Sequence, residues 1–324
     1  MFTLSQMAVI NMTNTTIVFF VLCIIVITFS GYLYYLLYSA RKNQRQSPFT
    51  EDILRSPGHS VRLELELKSV KLLELYIVYI GGSFLALLCF GTADTIVFKL
   101  LCLFVFIGLT VYAFKKLPAL FKDVSNHRLG TEAEQYSGAE LNMLMRSGAF
   151  VFHDIPYKYG NIDHIVVGNK RAFAIETKAV SKPKDIETES HVVKFDGKQL
   201  QFPHFMVTEP IEQARRHAKH LESAIQKRCG VRFPVMPVVS LPGWKIEIGS
   251  SGPANILIIN PKRGGPLRKW LGDLNDKRTR NLVAEYVNSV ARSAPSSRKT
   301  DSDASEHYDF WMNPKKQEKL LEDI

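Results

Sequence analysis

The sequence predicts an α/β domain that follows three membrane-spanning helices, and two observations support this architecture. Three long apolar runs lie within the first 114 residues, and each is long enough to cross a bilayer as a helix. From residue 125 onward, short apolar runs typical of strands alternate with segments whose apolar residues recur at helical spacing. We therefore expect a membrane region at 1–124, an α/β domain at 125–292 and, at 293–324, a flexible linker with an amphipathic tail.

The three predicted spans cover about residues 17–38, 72–90 and 95–114. The first contains no charge over its 22 residues, and it lacks both a basic start and a small-residue cleavage motif. These features favour a retained anchor over a cleaved signal peptide. Because only residues 91–94 separate the second span from the third, we expect these two to form a tight helical hairpin.

Basic residues indicate the orientation of the membrane region. Clusters follow the first and third spans, at Arg41, Lys42 and Arg45 and at Lys115, Lys116 and Lys122. Such clusters are retained on the cytoplasmic side of a membrane. The pattern predicts a multi-pass protein of the bacterial inner membrane, with its N-terminus outside and its α/β domain in the cytoplasm.

Composition indicates the class of partner. The chain has 41 Lys and Arg against 31 Asp and Glu, a formal net charge of +10 and a pI near 9.3. This excess favours anionic partners, either nucleic acid or phospholipid, and does not choose between them. No two of the four cysteines have metal-ligand spacing, which argues against a zinc site or a disulfide framework.

Further elements are predicted in order along the chain. The charged and apolar residues of 50–70 alternate, which fits either a strand or an interfacial segment. A helix begins near residue 130, where Thr131 and Glu134 have the spacing of a capping box. Another begins at Glu209, with apolar residues at helical spacing through residue 225. Strands are expected at 149–155, 231–241 and 254–260, and a helix at 275–292.

Residues 161–178 read as two apolar strands joined by a tight turn. An acid, Asp163, lies near the start of the first strand, and Glu176 and Lys178 lie at the end of the second. Side chains alternate faces along a strand, so Glu176 and Lys178 share a face. The turn has two possible loops, 169–170 and 168–169. The first places Asp163 directly opposite Glu176, and the second places it one diagonal away.

Two carboxylates this close repel each other unless a cation lies between them. A hard cation such as Mg²⁺ takes one or two carboxylates together with water and phosphate oxygens, and Lys178 supplies a positive charge beside them. The pattern therefore fits a metal-dependent phosphodiester-cleaving site. The alternative is a solvated strand face with ion pairs, because Asp, Glu and Lys are common residues.

Four segments, in this order, resemble the nuclease-related domain (NERD) family. They are Gly-x-x-Ala-Glu ending at Glu134, Ile-Asp-His-Ile-Val-Val containing Asp163, Ala-Ile-Glu-Thr-Lys ending at Lys178, and Glu-Pro-Ile-Glu-Gln-Ala containing Gln213. The resemblance covers about residues 128–240. It implies membership of the PD-(D/E)XK superfamily and a restriction-endonuclease-like mixed sheet flanked by helices.

The resemblance also implies roles for five residues. Asp163 and Glu176 correspond to the metal ligands, for Mg²⁺ or Mn²⁺, and Lys178 corresponds to the catalytic lysine. Glu134 and Gln213 correspond to supporting active-site residues. For Glu134 the capping box is the competing interpretation.

The function expected from the sequence is a membrane-anchored, Mg²⁺-dependent nuclease that hydrolyses nucleic acid, DNA rather than RNA, on the cytoplasmic side. The alternative is a nuclease-fold module that binds nucleic acid or a protein partner at the membrane without cutting. The expected partners are nucleic acid, membrane lipid and, in the alternative, a protein.

Overall fold

The computed structural model describes residues 52–157, 160–182, 191–249, 255–272 and 276–293, together with seven helical residues between 28 and 39. The chain forms two compact units, of which one contains Met1–Pro48 and Lys68–Asp123 and the other contains Phe49–Leu67 and Val124–Ile324. The second unit is therefore interrupted in sequence by part of the first. The predicted domain boundaries stay a prediction. That prediction assigned Phe49–Leu67 to the membrane region, whereas this segment lies in the same compact unit as Val124–Ile324.

Two long apolar helices carry the second and third predicted spans. Helix α1 covers His59–Thr92 and helix α2 covers Ile96–Asn142. Both are long and apolar enough, by length and composition, to cross a membrane. Phe104 and Phe114 on α2 are each 75% exposed, as expected of a lipid-facing surface. The first predicted span lies almost entirely outside the described residues, so the total of three spans stays a prediction.

The structure decides the conformation of segment 50–70 and corrects the capping box predicted at Thr131. Helix α1 already begins at His59, so most of the alternating segment 50–70 is helical, and Ile53–Leu54 forms a short strand, β1. The capping box at Thr131 was wrong, because α2 runs through this position without a break. A cap needs unpaired backbone N–H groups at a helix start. Here the Thr131 hydroxyl instead donates to the His127 carbonyl, at 2.9 Å, within the helix.

The second unit is a mixed α/β structure, as the sequence predicted. A 3₁₀ turn at Met143–Ser147 leads into strands β2 (Phe150–Tyr157), β3 (Gly160–Val167), β4 (Ala172–Thr177), β5 (Val192–Phe195), β6 (Leu200–Gln201) and β7 (Met206–Val207). After β7 come helix α3 (Glu209–Cys229) and strands β8 (Val235–Ser240), β9 (Lys245–Ile248) and β10 (Leu257–Ile259). They are followed by helices α4 (Leu267–Trp270) and α5 (Lys277–Val290) and by strand β11 (Arg292–Ser293).

The main sheet has five strands in the order β10-β8-β4-β3-β2, and its β2-β3-β4 part is antiparallel whereas its β4-β8-β10 part is parallel. A smaller sheet has the order β7-β6-β5-β9, and β1 pairs with β11. Helices α3 and α5 contribute to the core on one face of the main sheet. The end of α2, the 3₁₀ turn and α4 contribute to the core on the other face.

The β3–β4 hairpin adopts the first of the two registers expected from the sequence. The Gly168 amide donates to the Arg171 carbonyl at 2.9 Å and closes a two-residue loop at 169–170. The ladder then runs from Val167 opposite Ala172 to His164 opposite Ile175. One further step in the same register places Asp163 opposite Glu176.

Alternation of side chains along β2 and β3 breaks at one level. Ile162 and Ile165 lie in the same core cluster although they are three residues apart, and so do Phe152 and Ile155. Ile162 and Val166 would share a face in a regular strand, but Val166 belongs to the opposite core. Both strands therefore change face together, β2 at residue 154 and β3 at residue 163.

The core on the α4 side predicts a stability difference between two phenylalanines. Phe173 is 0% exposed and Phe205 is 49% exposed. Phe173→Ala should lower the free energy of unfolding by about 3–5 kcal/mol, because it leaves a cavity between the sheet and the α2 end. Phe205→Ala should change it by only about 0.5 kcal/mol. Thermal unfolding of the detergent-solubilised protein measures both, and equal losses would contradict this core.

Candidate active site

The predicted acids meet where β3 and β4 separate. The Thr177 amide, which would bond to Ile162 in a regular ladder, instead donates to the Asp163 carboxylate at 2.6 Å. The ladder between the two strands ends one step earlier, at His164 and Ile175. The Asp163 side chain thus occupies the gap between the strand ends, opposite Glu176.

Helix α2 brings Glu134 to the same place. The Ser137 hydroxyl, about one turn beyond Glu134, lies 3.1 Å from the Ser240 hydroxyl at the end of β8. At the end of the helix, Asn142 Oδ1 lies 3.1 Å from His153 Nε2 on β2. These two contacts hold α2 against the sheet. Glu134 itself is 7% exposed.

The three acids Glu134, Asp163 and Glu176 form one electrostatic group, which we call the carboxylate cluster. Burial, followed by the charges of Asp163 and Asp154, raises the pKa of Glu134 to about 9. Burial raises the pKa of Asp163 to about 7, against the lowering effect of its bond from Thr177. Burial, then Asp163 and Glu134, hold the pKa of Glu176 well above its usual range. The cluster therefore retains protons at neutral pH unless a cation neutralises it.

Lys178 lies beside the carboxylate cluster. Its charge lowers the pKa of both Asp163 and Glu176. The Lys178 ammonium donates to Glu209 Oε2 at 3.1 Å, and the two side chains are 39% and 54% exposed. An ion pair this exposed is weak, so Lys178 can turn from Glu209 towards an anionic substrate at little cost.

Glu176 has a second neighbour that the sequence did not assign to the site. His217 Nδ1 lies 3.3 Å from Glu176 Oε2, without hydrogen-bond geometry, and neither buried atom has another hydrogen-bond partner among the described residues. Burial, followed by the charges of Arg216 and His220, lowers the pKa of His217 to about 4. A neutral imidazole thus faces the buried carboxyl group.

One face of helix α3 is directed at the site. Glu209 contacts Lys178 and His217 contacts Glu176, and these two helical residues are eight apart. Gln213 is four residues from each of them, so it lies on the same face between the two contacts. The spacing of Glu209, Gln213 and His217 was visible in the sequence, and it is the signal that would have identified Glu209 and His217.

The carboxylate cluster fits a hard divalent cation. Glu176 Oε2 is buried without a hydrogen-bond partner among the described residues, and the charge of Asp163 acts on the same carboxyl group. Carboxylate oxygens are the ligands that Mg²⁺ takes in proteins. Within the described ranges, no three His, Cys, Asp or Glu side chains form a group that could by itself hold a metal ion. A cation here would therefore take Asp163 and Glu176, and it would complete its shell with water and substrate oxygens.

A protein-family model matches this part of the chain. Residues 129–242 match the family model described as the nuclease-related domain, NERD. The matched segment begins in the last third of α2 and ends just beyond β8, so it contains all five residues predicted for the site. Neither a curated protein nor a solved structure matches the chain. The match suggests a nuclease-related function for this domain.

The raised pKa values predict how stability depends on pH. Glu134 and Asp163 keep protons in the folded state that the unfolded state releases above about pH 4. Without divalent cations, stability should therefore fall as pH rises from about 4 towards 9. Glu134→Gln should raise the free energy of unfolding at pH 8 by about 1–3 kcal/mol, since one pKa unit corresponds to about 1.4 kcal/mol.

Thermal unfolding at pH 4 and pH 8 in EDTA checks this expectation. The two proteins should differ little at pH 4, where both forms of the site are uncharged. Glu132→Gln is the matched control, because Glu132 lies on the exposed side of the same helix and pairs with Arg128. A loss of stability at pH 8 in Glu134→Gln would show that the buried carboxyl group is not a source of repulsion.

Proposed function

We propose that this protein is a membrane-anchored, metal-dependent nuclease that hydrolyses phosphodiester bonds of nucleic acid, DNA rather than RNA, on the cytoplasmic side. The observation that carries the proposal is the carboxylate cluster, with Lys178 beside it, at the point where β3 and β4 separate. Buried acids that repel one another are costly to a fold. They are expected where a cation and an anionic substrate replace the missing counter-charges.

The residues of the site divide into those that hold a cation and those that act on the substrate. Asp163 and Glu176 would hold Mg²⁺ or Mn²⁺. When bound, the ion polarises the scissile phosphate and makes water more acidic. The bond from the Thr177 amide fixes the Asp163 carboxylate, and His217 restricts the orientation of the Glu176 carboxylate.

Lys178 would stabilise the charge that develops on the phosphate. In the structure Glu209 holds the ammonium group 3.1 Å away, at the edge of the cluster. Glu134 would give up its proton once the cluster is neutralised, and its carboxylate would then accept a hydrogen bond from the attacking water. Gln213 would orient Lys178 or the substrate, since it lies on the same helix face as Glu209.

The remaining parts of the proposal rest on the sequence and on the two apolar helices. The net charge of +10 favours an anionic polymer. Helices α1 and α2 have the length and composition to anchor the protein. The positive residues after the spans support a cytoplasmic domain.

Cleavage of supercoiled plasmid by the full-length protein in detergent tests the proposal. Mg²⁺ or Mn²⁺ should support cutting and EDTA should abolish it. Lys178→Met should lower kcat by about 10²–10³-fold, because it removes the charge next to the scissile phosphate. Asp163→Asn should lower it at least as much, because it removes a cation ligand.

Two variants serve as matched controls. Lys170→Met removes a lysine from the opposite end of the same hairpin, and Asp196→Asn removes an exposed acid that caps a turn. Both should cut like wild type. If the protein binds DNA but shows no metal-dependent cutting, or if Asp163→Asn cuts as well as wild type, the nuclease proposal fails. The first result would favour a binding module at the membrane.

A further inference from the structure

We propose that Arg55, which precedes α1 in the chain, is a positioning residue of this site: it holds Asp154 in the conformation that lets β3 present Asp163 to the carboxylate cluster. The inference deepens the proposed function and rests on it where it concerns catalysis. Its structural part concerns residues 52–60 and their contacts with β2 and α2, all within one compact unit.

Asp154 is a buried acid that accepts hydrogen bonds from residues upstream and downstream of it in the chain. Arg55 Nη1 lies 3.1 Å from Asp154 Oδ2 and 3.3 Å from the Asp154 carbonyl oxygen. The Ser60 hydroxyl donates to the same carboxylate at 2.7 Å, and Asn161 Nδ2 donates to the other oxygen at 3.2 Å. The side chains of Arg55 and Asp154 are only 7% and 2% exposed. A buried pair of this kind is costly to break from one side.

The backbone of Asp154 explains why this carboxylate matters to the site. Its φ is 54°, in the left-handed region that an L-residue adopts at a cost of about 1–2 kcal/mol. The flanking pairs, His153 with His164 and Ile155 with Ile162, place Asp154 directly across from Asp163. This is the level at which both strands change face. The turn of the backbone at Asp154 is therefore coupled to the direction of the Asp163 side chain.

The segment that carries Arg55 is firmly attached to the same unit. The Arg55 amide donates to the Ala291 carbonyl at 2.9 Å, and Arg292 Nη1 donates to the Asp52 carbonyl at 2.7 Å. Pro57 packs so closely on α2 that a Cβ on Gly138 would lie 2.4 Å from its ring. The segment thus lies against α2 close to Glu134 and against β2 at Asp154.

Charge gives Arg55 a second effect. Without it, the Asp154 carboxylate would be a buried charge next to Asp163 and Glu134, with only the neutral donors Ser60 and Asn161 described beside it. The strained backbone at Asp154 would then lose the contact that offsets its cost. We expect β2 and β3 to open locally and the Asp163 carboxylate to lose its bond from Thr177.

The test uses the full-length protein in detergent and four variants. Arg55→Gln removes the charge, Asp154→Asn removes its partner, and the double variant Arg55→Gln/Asp154→Asn replaces the ion pair by two neutral amides. Asn tolerates the left-handed conformation. Arg292→Gln is the control, because Arg292 also attaches the segment through Asp52 but does not touch Asp154 in any described contact.

Three measurements are made on each protein. Hydrogen–deuterium exchange of peptides covering β2, β3 and the end of β4 reports positioning without any need for activity. Metal-dependent plasmid cleavage at saturating DNA reports kcat, and DNA affinity in EDTA reports binding. In Arg55→Gln, exchange should be at least about tenfold faster at these strands, and kcat should fall about 10–100-fold. DNA affinity should stay within about twofold, since Arg55 is buried.

Recovery in the double variant separates positioning from general stability. Arg55→Gln/Asp154→Asn should regain wild-type exchange and most of kcat, whereas Arg292→Gln should resemble wild type throughout. Any of three results would overturn the inference. Exchange and cleavage could be unchanged in Arg55→Gln, the double variant could be as impaired as Arg55→Gln, or Arg292→Gln could lose as much protection and kcat as Arg55→Gln. If exchange changes as expected while wild type cuts nothing, the positioning role stands and the nuclease proposal fails.

Discussion

The site depends on one side-chain hydrogen bond that replaces a backbone hydrogen bond between β3 and β4. The Asp163 carboxylate accepts a hydrogen bond from the Thr177 amide, and the ladder between β3 and β4 ends at the level of Glu176. Here the acids lie at the end of a central, buried part of the sheet. Burial raises the pKa of all three, and the charge of Asp163 raises those of Glu134 and Glu176 further.

The surrounding elements are arranged to tolerate this repulsion. Helix α2 is held by Ser137 and Asn142 and supplies Glu134 from one side. Helix α3 supplies Glu209 and His217 from the other. The Thr177 amide, the His217 imidazole and the Lys178 ammonium thus lie around carboxyl groups whose pKa values are raised by burial. Under the proposed function, a divalent cation and a phosphate would supply the missing counter-charges, and the site would be destabilising without them.

Features set by residues close together in the sequence were predictable, and features set by residues far apart in the sequence were not. The hairpin was predictable, because a period of two and an even loop place Asp163 near Glu176 whatever the rest of the chain does. The role of Thr131 was not, since a capping box also occurs inside a helix that started 35 residues earlier, at Ile96. Arg55 and Asp154 are 99 residues apart, and no local pattern connects them.

The sequence also did not predict that residues 49–67 belong to the same compact unit as the α/β domain, because tertiary contacts decide this. Hydropathy separated an apolar region from an α/β domain, and on that basis the first 124 residues belonged together. The pairing of β1 with β11 and the contacts of Pro57 are decided by tertiary packing, which hydropathy does not report. A nuclease-related domain that matches only from residue 129 onward therefore receives part of its structure from a segment upstream of both apolar helices.

The claim that the carboxylate cluster is a divalent cation site can be tested without any substrate. Mn²⁺ binding to the full-length protein in detergent, followed by electron paramagnetic resonance, counts the bound ions. We expect saturable binding in wild type that is lost in both Asp163→Asn and Glu176→Gln and kept in Asp196→Asn. Binding of the same strength in Asp163→Asn and Glu176→Gln, or no binding in wild type, would contradict it.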